Sequence, residues 1–243
     1  MSESVGSIEV TVVIPCRDPD PVELAAQLDA LAAQRTERAV EIIIDDNGSR
    51  EPLAGRVPRL VGSVPVRVVE SGAMDGVNIG RAAGIRAALA DRVMICDADD
   101  IVDDTWLEAG ARHLVDDVIV AGPRRMFFEQ PGDAPEMEQT APRMAHGRPW
   151  SSGSSLGLTT TVARMVGGFD ESWPADMAAD DVDFALRSAD LGIELRFDPE
   201  MSNNYRLRGD LRSLLHQRRR YGRGEVRLAD RHEPTVDRAA RRR

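Results

Sequence analysis

The chain contains no lysine: all 31 of its basic residues are arginine. With abundant Ala, Gly and Asp this reads as a compositional bias, so any single arginine is weak evidence of function. Cysteine is nearly absent too. Cys16 and Cys96 each end an apolar run, which suits buried reduced thiols and gives neither a disulfide framework nor a metal pair. No apolar stretch approaches ~18 residues and no basic-plus-apolar leader is visible, so a soluble, cytoplasmic protein is expected. The first strand-to-helix turn has no glycine, which excludes a dinucleotide fingerprint, and no Gly-rich loop ends in Gly-Lys, which excludes a P-loop. A phosphate bound here must be held by a metal or by side chains.

The 243 residues fit one large domain or a domain with an appendage, and an apolar fraction of 42% suffices for a real core. The net charge of -10 is uneven. Residues 206–243 carry thirteen arginines against five acids, leaving an acidic body with a basic tail. That distribution does not suit nucleic acid. The tail could meet phosphates, anionic lipid headgroups at the inner face of a membrane or the acidic cleft itself, or be a solvated helix.

Short apolar runs at Val10, Ile42, Val64, Val93 and Val118 alternate with helical spacing at 21–35, 79–89 and 105–114. Strands separated by helices predict an α/β fold, a mostly parallel sheet with helices on both faces. Gly76, Gly80 and Gly84, spaced four apart, point to close helix packing. The stretch 127–150 reads as a long loop or flap, 151–155 as small and polar. Helices are expected at 159–166, 178–191 and 211–228.

Ligands of such sheets bind beyond the carboxyl ends of the strands. Three strand ends carry acids: Asp18, then Asp45 and Asp46, then Asp97, Asp99 and Asp100. Clustered carboxylates repel unless something positive neutralises them, and a hard divalent cation is the usual answer. A calcium loop over 97–108 fails, because Ile101 and Val102 stand where an oxygen ligand and a glycine are needed.

Val-Met-Ile-Cys-Asp-Ala-Asp-Asp resembles the first motif of haloacid-dehalogenase-type phosphatases, in which Asp97 would be the nucleophile. That motif normally sits on the first strand, and the family's usual lysine is missing here. Five segments in order resemble family 2 glycosyltransferases of the GT-A (Rossmann-like) fold. They are Val-Val-Ile-Pro-Cys-Arg-Asp, Ile-Ile-Ile-Asp-Asp-Asn-Gly-Ser-Arg-Glu, the DXD-like Asp97-Ala98-Asp99-Asp100, Gly-Gly-Phe-Asp-Glu from Gly167, and Ala-Asp-Asp-Val-Asp-Phe-Ala-Leu-Arg from Ala179. The likeness covers about 8–224.

The resemblance implies a nucleotide-sugar donor, a UDP-sugar foremost, with Mn2+ or Mg2+ and inversion at the anomeric carbon. Asp46 would contact the nucleotide base, with Asp18 on the same rim. Asp97 would address the ribose, and Asp99 and Asp100 the metal. Asp181 would be the general base, with Asp180 in the place of a family glutamate. Arg81 matches the arginine of an Ala-Arg-Asn element whose asparagine is missing. Arg220 lies in a Gln-x-x-Arg-Tyr segment that could close over the diphosphate. The histidine often found after the base-bearing helix is replaced by Ser202-Asn203-Asn204-Tyr205. The expected division is a catalytic domain over 1–200, its nucleotide-sugar half about 1–120 and its acceptor half about 121–200, then an arginine-rich helix and tail over 201–243. Acceptors could be small molecules, lipid-linked sugars or glycans. A nucleotide-sugar-binding pseudoenzyme is the remaining alternative.

Overall fold

The computed structural model describes residues 7–72, 76–128, 131, 133 and 138–232. The first half runs β1 (Val10–Cys16), α1 (Pro21–Ala32), β2 (Val40–Asp46), β3 (Leu60–Val61), β4 (Val64–Glu70), α2 (Val77–Ala87) and β5 (Arg92–Cys96). Next come β6 (Ile101–Val102), α3 (Trp106–Ala111), β7 (Val118–Ala121), β8 (Arg124–Phe127), β9 (Glu138–Gln139), β10 (Arg143–Ala145) and β11 (Arg148–Trp150). The chain then forms β12 (Ser155–Thr159), α4 (Thr160–Val166), α5 (Asp180–Asp190), β13 (Glu194–Phe197), β14 (Asn203–Arg206) and α6 (Leu211–His232).

The main sheet has eight strands in the order β13-β7-β12-β5-β1-β2-β4-β3. Strands β5, β1, β2 and β4 are parallel, and β12 runs antiparallel to both its neighbours. A parallel sheet is covered on both faces, so its strands must be apolar throughout. Val12 to Ile14, Ile42 to Ile44 and Val93 to Cys96 meet that demand and are fully buried. Successive side chains then serve opposite layers. Ile14, Ile44 and Met94 pack with Leu24, Leu28 and Trp106 of α1 and α3, whereas Val13, Val93 and Ile95 pack with Ile85 of α2 and Val162 of α4.

The glycine spacing on α2 has the expected cause. A Cβ on Gly84 would lie 2.2 Å from Val13 Cγ1, and one on Gly80 would lie 2.7 Å from Asp45 Oδ2. Helix α1 starts on Asp20, whose carboxylate accepts from the Val22 and Glu23 amides, with Pro21 in the first turn.

Register decides where the strand ends meet. Cys16 is level with Asp46, and Asp46 with Glu70, so the acidic ends share one edge. The reversed β12 pairs Ser155 with Cys96, which brings 151–155 to that same edge. A second sheet, ordered β6-β14-β8-β9, lies beside it and sets Asn203 level with both Val102 and Arg124.

Two expectations need correction. The stretch 127–150, read as a loop, carries the end of β8 and the short strands β9, β10 and β11; 129–130, 132 and 134–137 lie outside the described residues. Pieces of two to four residues are too short to show periodicity. Strands β12, β13 and β14 were also not foreseen, because Ser, Gly, Asn and Arg replace the usual branched residues there. Of the basic tail, 233–243 lie outside the described residues. No helix among the described residues is long and apolar enough to cross a membrane.

Candidate active site

The turn after β5 sends its three acids in different directions. Asp97 and Asp99 line a cleft of about 920 Å³ at the carboxyl edge of the sheet. Asp97 accepts from Arg81 Nη2 at 3.2 Å, and Asp99 pairs with Arg208 Nη2 at 3.2 Å. Asp100 turns into the protein, 1% exposed, and does not line the cleft. Its carboxylate accepts from Asn203 Nδ2 at 2.9 Å and from the Arg206 amide at 3.2 Å. Burial pushes it well above the usual carboxylate range, with Asp97 and Asp99 adding to the rise. The expected pairing of Asp100 with Asp99 at a metal is therefore not what the fold presents: Asp100 ties β5 to β14.

The second acidic group stands at the start of α5. Asp180 is buried and receives Arg81 Nη1 at 2.8 Å. Burial raises its carboxyl to about 6 against the pull of that guanidinium. Arg81 thus joins Asp97 on the sheet to Asp180 on the helix, under the ring of Phe169 at 5.5 Å. Asp181 faces the cleft. Its Oδ2 accepts from the Gly153 amide at 2.8 Å and its Oδ1 from the Val182 amide at 2.9 Å. Ala179, just before the pair, has φ 76, a left-handed conformation that a non-glycine residue adopts at a cost. Gly153 sits so tightly on Arg81 that a Cβ would lie 2.6 Å from the guanidinium carbon.

Asp46 is 4% exposed and does not line this cleft. Its oxygens accept from the Ser49 and Leu53 amides at 2.9 and 2.8 Å, which folds the loop after β2. Asp18 pairs with Arg50 at 3.0 Å and lines both the main cleft and a neighbouring one of about 590 Å³. The neighbouring cleft is walled by Ser49, Arg50 and Leu53, so Asp46 acts on it through the loop it holds. Asp45, fully buried under α2, is pushed up to about 6 by burial.

Helix α6 closes the opposite side. Its Ser213, His216, Gln217, Arg220 and Tyr221 line the cleft. Gly224 rests on the loop before α5, where a Cβ would lie 2.0 Å from the Ala178 carbonyl oxygen. The Ala178 amide donates to the Arg220 carbonyl at 3.1 Å. Asp97, Asp99, Asp180, Asp181, Arg81 and Arg220 thus come together; Asp46 and Asp100 act from behind, and Asp18 stands at the rim.

Among the described residues no group of three or more His, Cys, Asp or Glu could hold a metal ion. Asp97 and Asp99 still offer hard carboxylate oxygens to the cleft, a donor set that fits a divalent cation completed by phosphate oxygens and water. His216 of α6 is exposed on the cleft rim.

Sequence reasoning missed Tyr205, Arg124, Gly153 and Arg208. Tyr205 carries Arg124 over its ring at 4.7 Å and accepts from Gln217 Nε2 at 3.0 Å. One signal was available, because the chain has two tyrosines and both line the cleft. The arginines gave none in a chain that has 31 of them and no lysine.

Two curated relatives, the pre-mycofactocin glycosyltransferases of two Mycobacterium tuberculosis strains, are 26% identical over 92% of this chain. The chain spans about half, 48%, of their length. Among solved structures, GalNAc-T7 with UDP, GalNAc and Mn2+ superposes with a TM-score of 0.67 at 13% identity, over 84% of this chain and 45% of that one. A structure of S. aureus TarS with UDP-GlcNAc gives 0.62 at 14%, over 83% and 59%. These likenesses establish the GT-A fold. The model of glycosyl transferase family 2 matches residues 11–164, a span that runs from β1 past both cleft acids of the sheet, and the chain belongs to this family.

Proposed function

We propose that this protein transfers a sugar from a nucleotide-diphosphate donor to an acceptor hydroxyl, with inversion at the anomeric carbon. One observation carries the reading: Asp97, Asp99 and Asp181 line a single cleft, and Arg81 joins Asp97 on the sheet to Asp180, the neighbour of Asp181 on the helix. UDP is the favoured nucleotide, since the similar structures of TarS and GalNAc-T7 hold UDP-GlcNAc and UDP. Membership of the family leaves the aspartyl-phosphatase alternative without support. We assign the nucleotide-sugar half to about 1–120, the acceptor half to about 121–200, and the closing wall to the segment that follows.

The chemistry follows from the geometry. The bond from the anomeric carbon to the leaving diphosphate breaks as the acceptor oxygen attacks from the opposite side. Asp181 takes the acceptor hydroxyl's proton on a carboxylate oxygen. The amides of Gly153 and Val182 hold that carboxylate in one orientation, which a base needs more than reach. With one base and no carboxylate nucleophile, the product is inverted. Arg220, with Arg208 released from Asp99, offers guanidinium donors to the diphosphate. Asp99 with Asp97 would hold Mn2+ or Mg2+, which when bound neutralises charge developing on the leaving group. Asp46 shapes the base-binding loop, and Asp18 borders it.

Calorimetric titration with UDP, GDP and TDP, each with and without Mn2+, tests the donor site. Metal-dependent binding of one of them is expected, and Asp99→Ala should weaken it ~10-fold or more. If none binds, or if Asp99→Ala binds like the parent, the site is misassigned. Nucleotide binding with no donor turnover under any acceptor would favour the pseudoenzyme.

A further inference from the structure

Helix α6 has two faces of different character. One lines the cleft and packs on the protein through Gly224 and Leu228, the only residues of its 22 that are buried. The opposite face is apolar and open. Leu211, Leu215 and Val226 are 70%, 61% and 66% exposed, and Gly222 lies between them. At 3.6 residues per turn these four fall within about 60° around the axis. On the same helix Leu214 and Tyr221 are also exposed, at 38% and 42%, but they fall outside this stripe.

Charge flanks this stripe with one dominant sign. Helix α6 carries seven arginines against Glu225 and Asp230. Arg223 and Arg231 are spent on Asp176 and Asp170, and Arg227 covers the Trp173 ring at 4.9 Å. Arg212, Arg218 and Arg219 border the stripe, and among the described residues none of them has an acidic partner. A chain with a net charge of -10 therefore presents, beside exposed leucines, a local positive band that no acid among the described residues pairs with.

We propose that this face of α6 docks on an anionic lipid bilayer, lying in the interface rather than crossing it. A lone convex helix has no groove for a peptide. Its leucines and valine can enter the acyl boundary while the flanking arginines reach back to headgroup phosphates. An arginine near an anionic surface gains from its potential, and apolar burial adds a contribution that salt does not screen. Because the inner face of the same helix lines the cleft, docking sets the cleft mouth beside the membrane. The proposal does not depend on the transfer reaction.

Co-sedimentation of the full chain with phosphatidylcholine vesicles, with and without phosphatidylglycerol, tests this. Binding is expected only to the anionic vesicles, weakening as salt rises. Leu211→Ser/Leu215→Ser/Val226→Ser should weaken it ~10-fold or more, and so should Arg218→Ser/Arg219→Ser. None of these residues lines the cleft, so circular dichroism and nucleotide binding should match the parent. Equal binding to neutral vesicles, or none to either, overturns the proposal. So does anionic binding that survives the apolar triple variant, which would mean charge attraction without docking of the stripe. A dimer in solution that the triple variant dissolves, without vesicle binding, would assign the face to a second copy instead.

Discussion

On the sheet side of the cleft, Asp97 and Asp99 hang from β5, whose Val93 to Cys96 are fully buried between parallel and antiparallel neighbours. On the other side stands α6, with two buried residues. It is fastened by the ion pairs of Arg223 with Asp176 and Arg231 with Asp170 and by a hydrogen bond of 2.9 Å between His232 and Asp183. All three lie in its C-terminal half. The half that lines the cleft has the hydrogen bonds of Gln217 and the Arg220 carbonyl. The sheet side is thus held by core packing, and the helix side by side-chain pairs at one end. Proteins place reacting groups on rigid elements and ligand contacts on elements of lower local stability.

The largest effect should come from cutting the tie between the two acid groups. Arg81→Met would leave Asp180 buried, and Asp97 on the cleft wall, without their cation, and losing one partner of a buried charge pair costs about 3–5 kcal/mol. Thermal melting should show it, with partial recovery in Arg81→Met/Asp180→Asn. A single variant that melts with the parent would mean Arg81 is no tie. Next in size is the base. Asp181→Asn should lower kcat ~10²-fold or more and leave nucleotide binding intact. An undiminished rate would remove Asp181 from its role.

How these acids divide labour was only partly legible in sequence. The parallel strands were readable because burial on both faces forces unbroken apolar runs at Val12, Ile42 and Val93. The acids after them marked the site edge for the same reason. Hidden was which acids face the ligand. A tight turn cannot aim Asp97, Asp99 and Asp100 at one point, and the one turned inward is chosen by Asn203, over 100 residues away in sequence. Asp46 was likewise taken by amides of its own loop. The helix wall was visible as an arginine-rich segment, but its contact with the base loop rests on Gly224, whose meaning lies in the distance to Ala178.

Two glycines of α6 therefore sharpen the comparison. Gly224→Ala should destabilise by about 1–3 kcal/mol, because backbone at Ala178 blocks the new Cβ and the helix must lift. Transfer should fall with it, since that loop leads into Asp181. Gly222→Ala meets nothing within 4 Å and should stabilise by about 0.5–1 kcal/mol through helix propensity. Denaturant melts of the two variants should move in opposite directions. Movement in the same direction would mean α6 is not seated on that loop.

An effect of about the same size as that of Gly222→Ala belongs to the sheet side and depends on pH. Asp45 sits under Gly80 with one carboxylate oxygen bonded by Ser71 at 2.7 Å and the other lacking a partner. Burial raises its carboxyl from 3.8 to about 6, so the folded protein favours the protonated form. Its contribution is fully present below the unfolded value and is lost as pH rises through about 6. Asp45→Asn cannot ionise and escapes that loss. It should match the parent near pH 4 and exceed it at pH 7 by on the order of 1 kcal/mol in urea melts. A variant less stable at both pH values would mean that the charged carboxylate supports the strand end, and the contrast between a sheet held by core packing and a helix held by side-chain pairs would lose one of its supports.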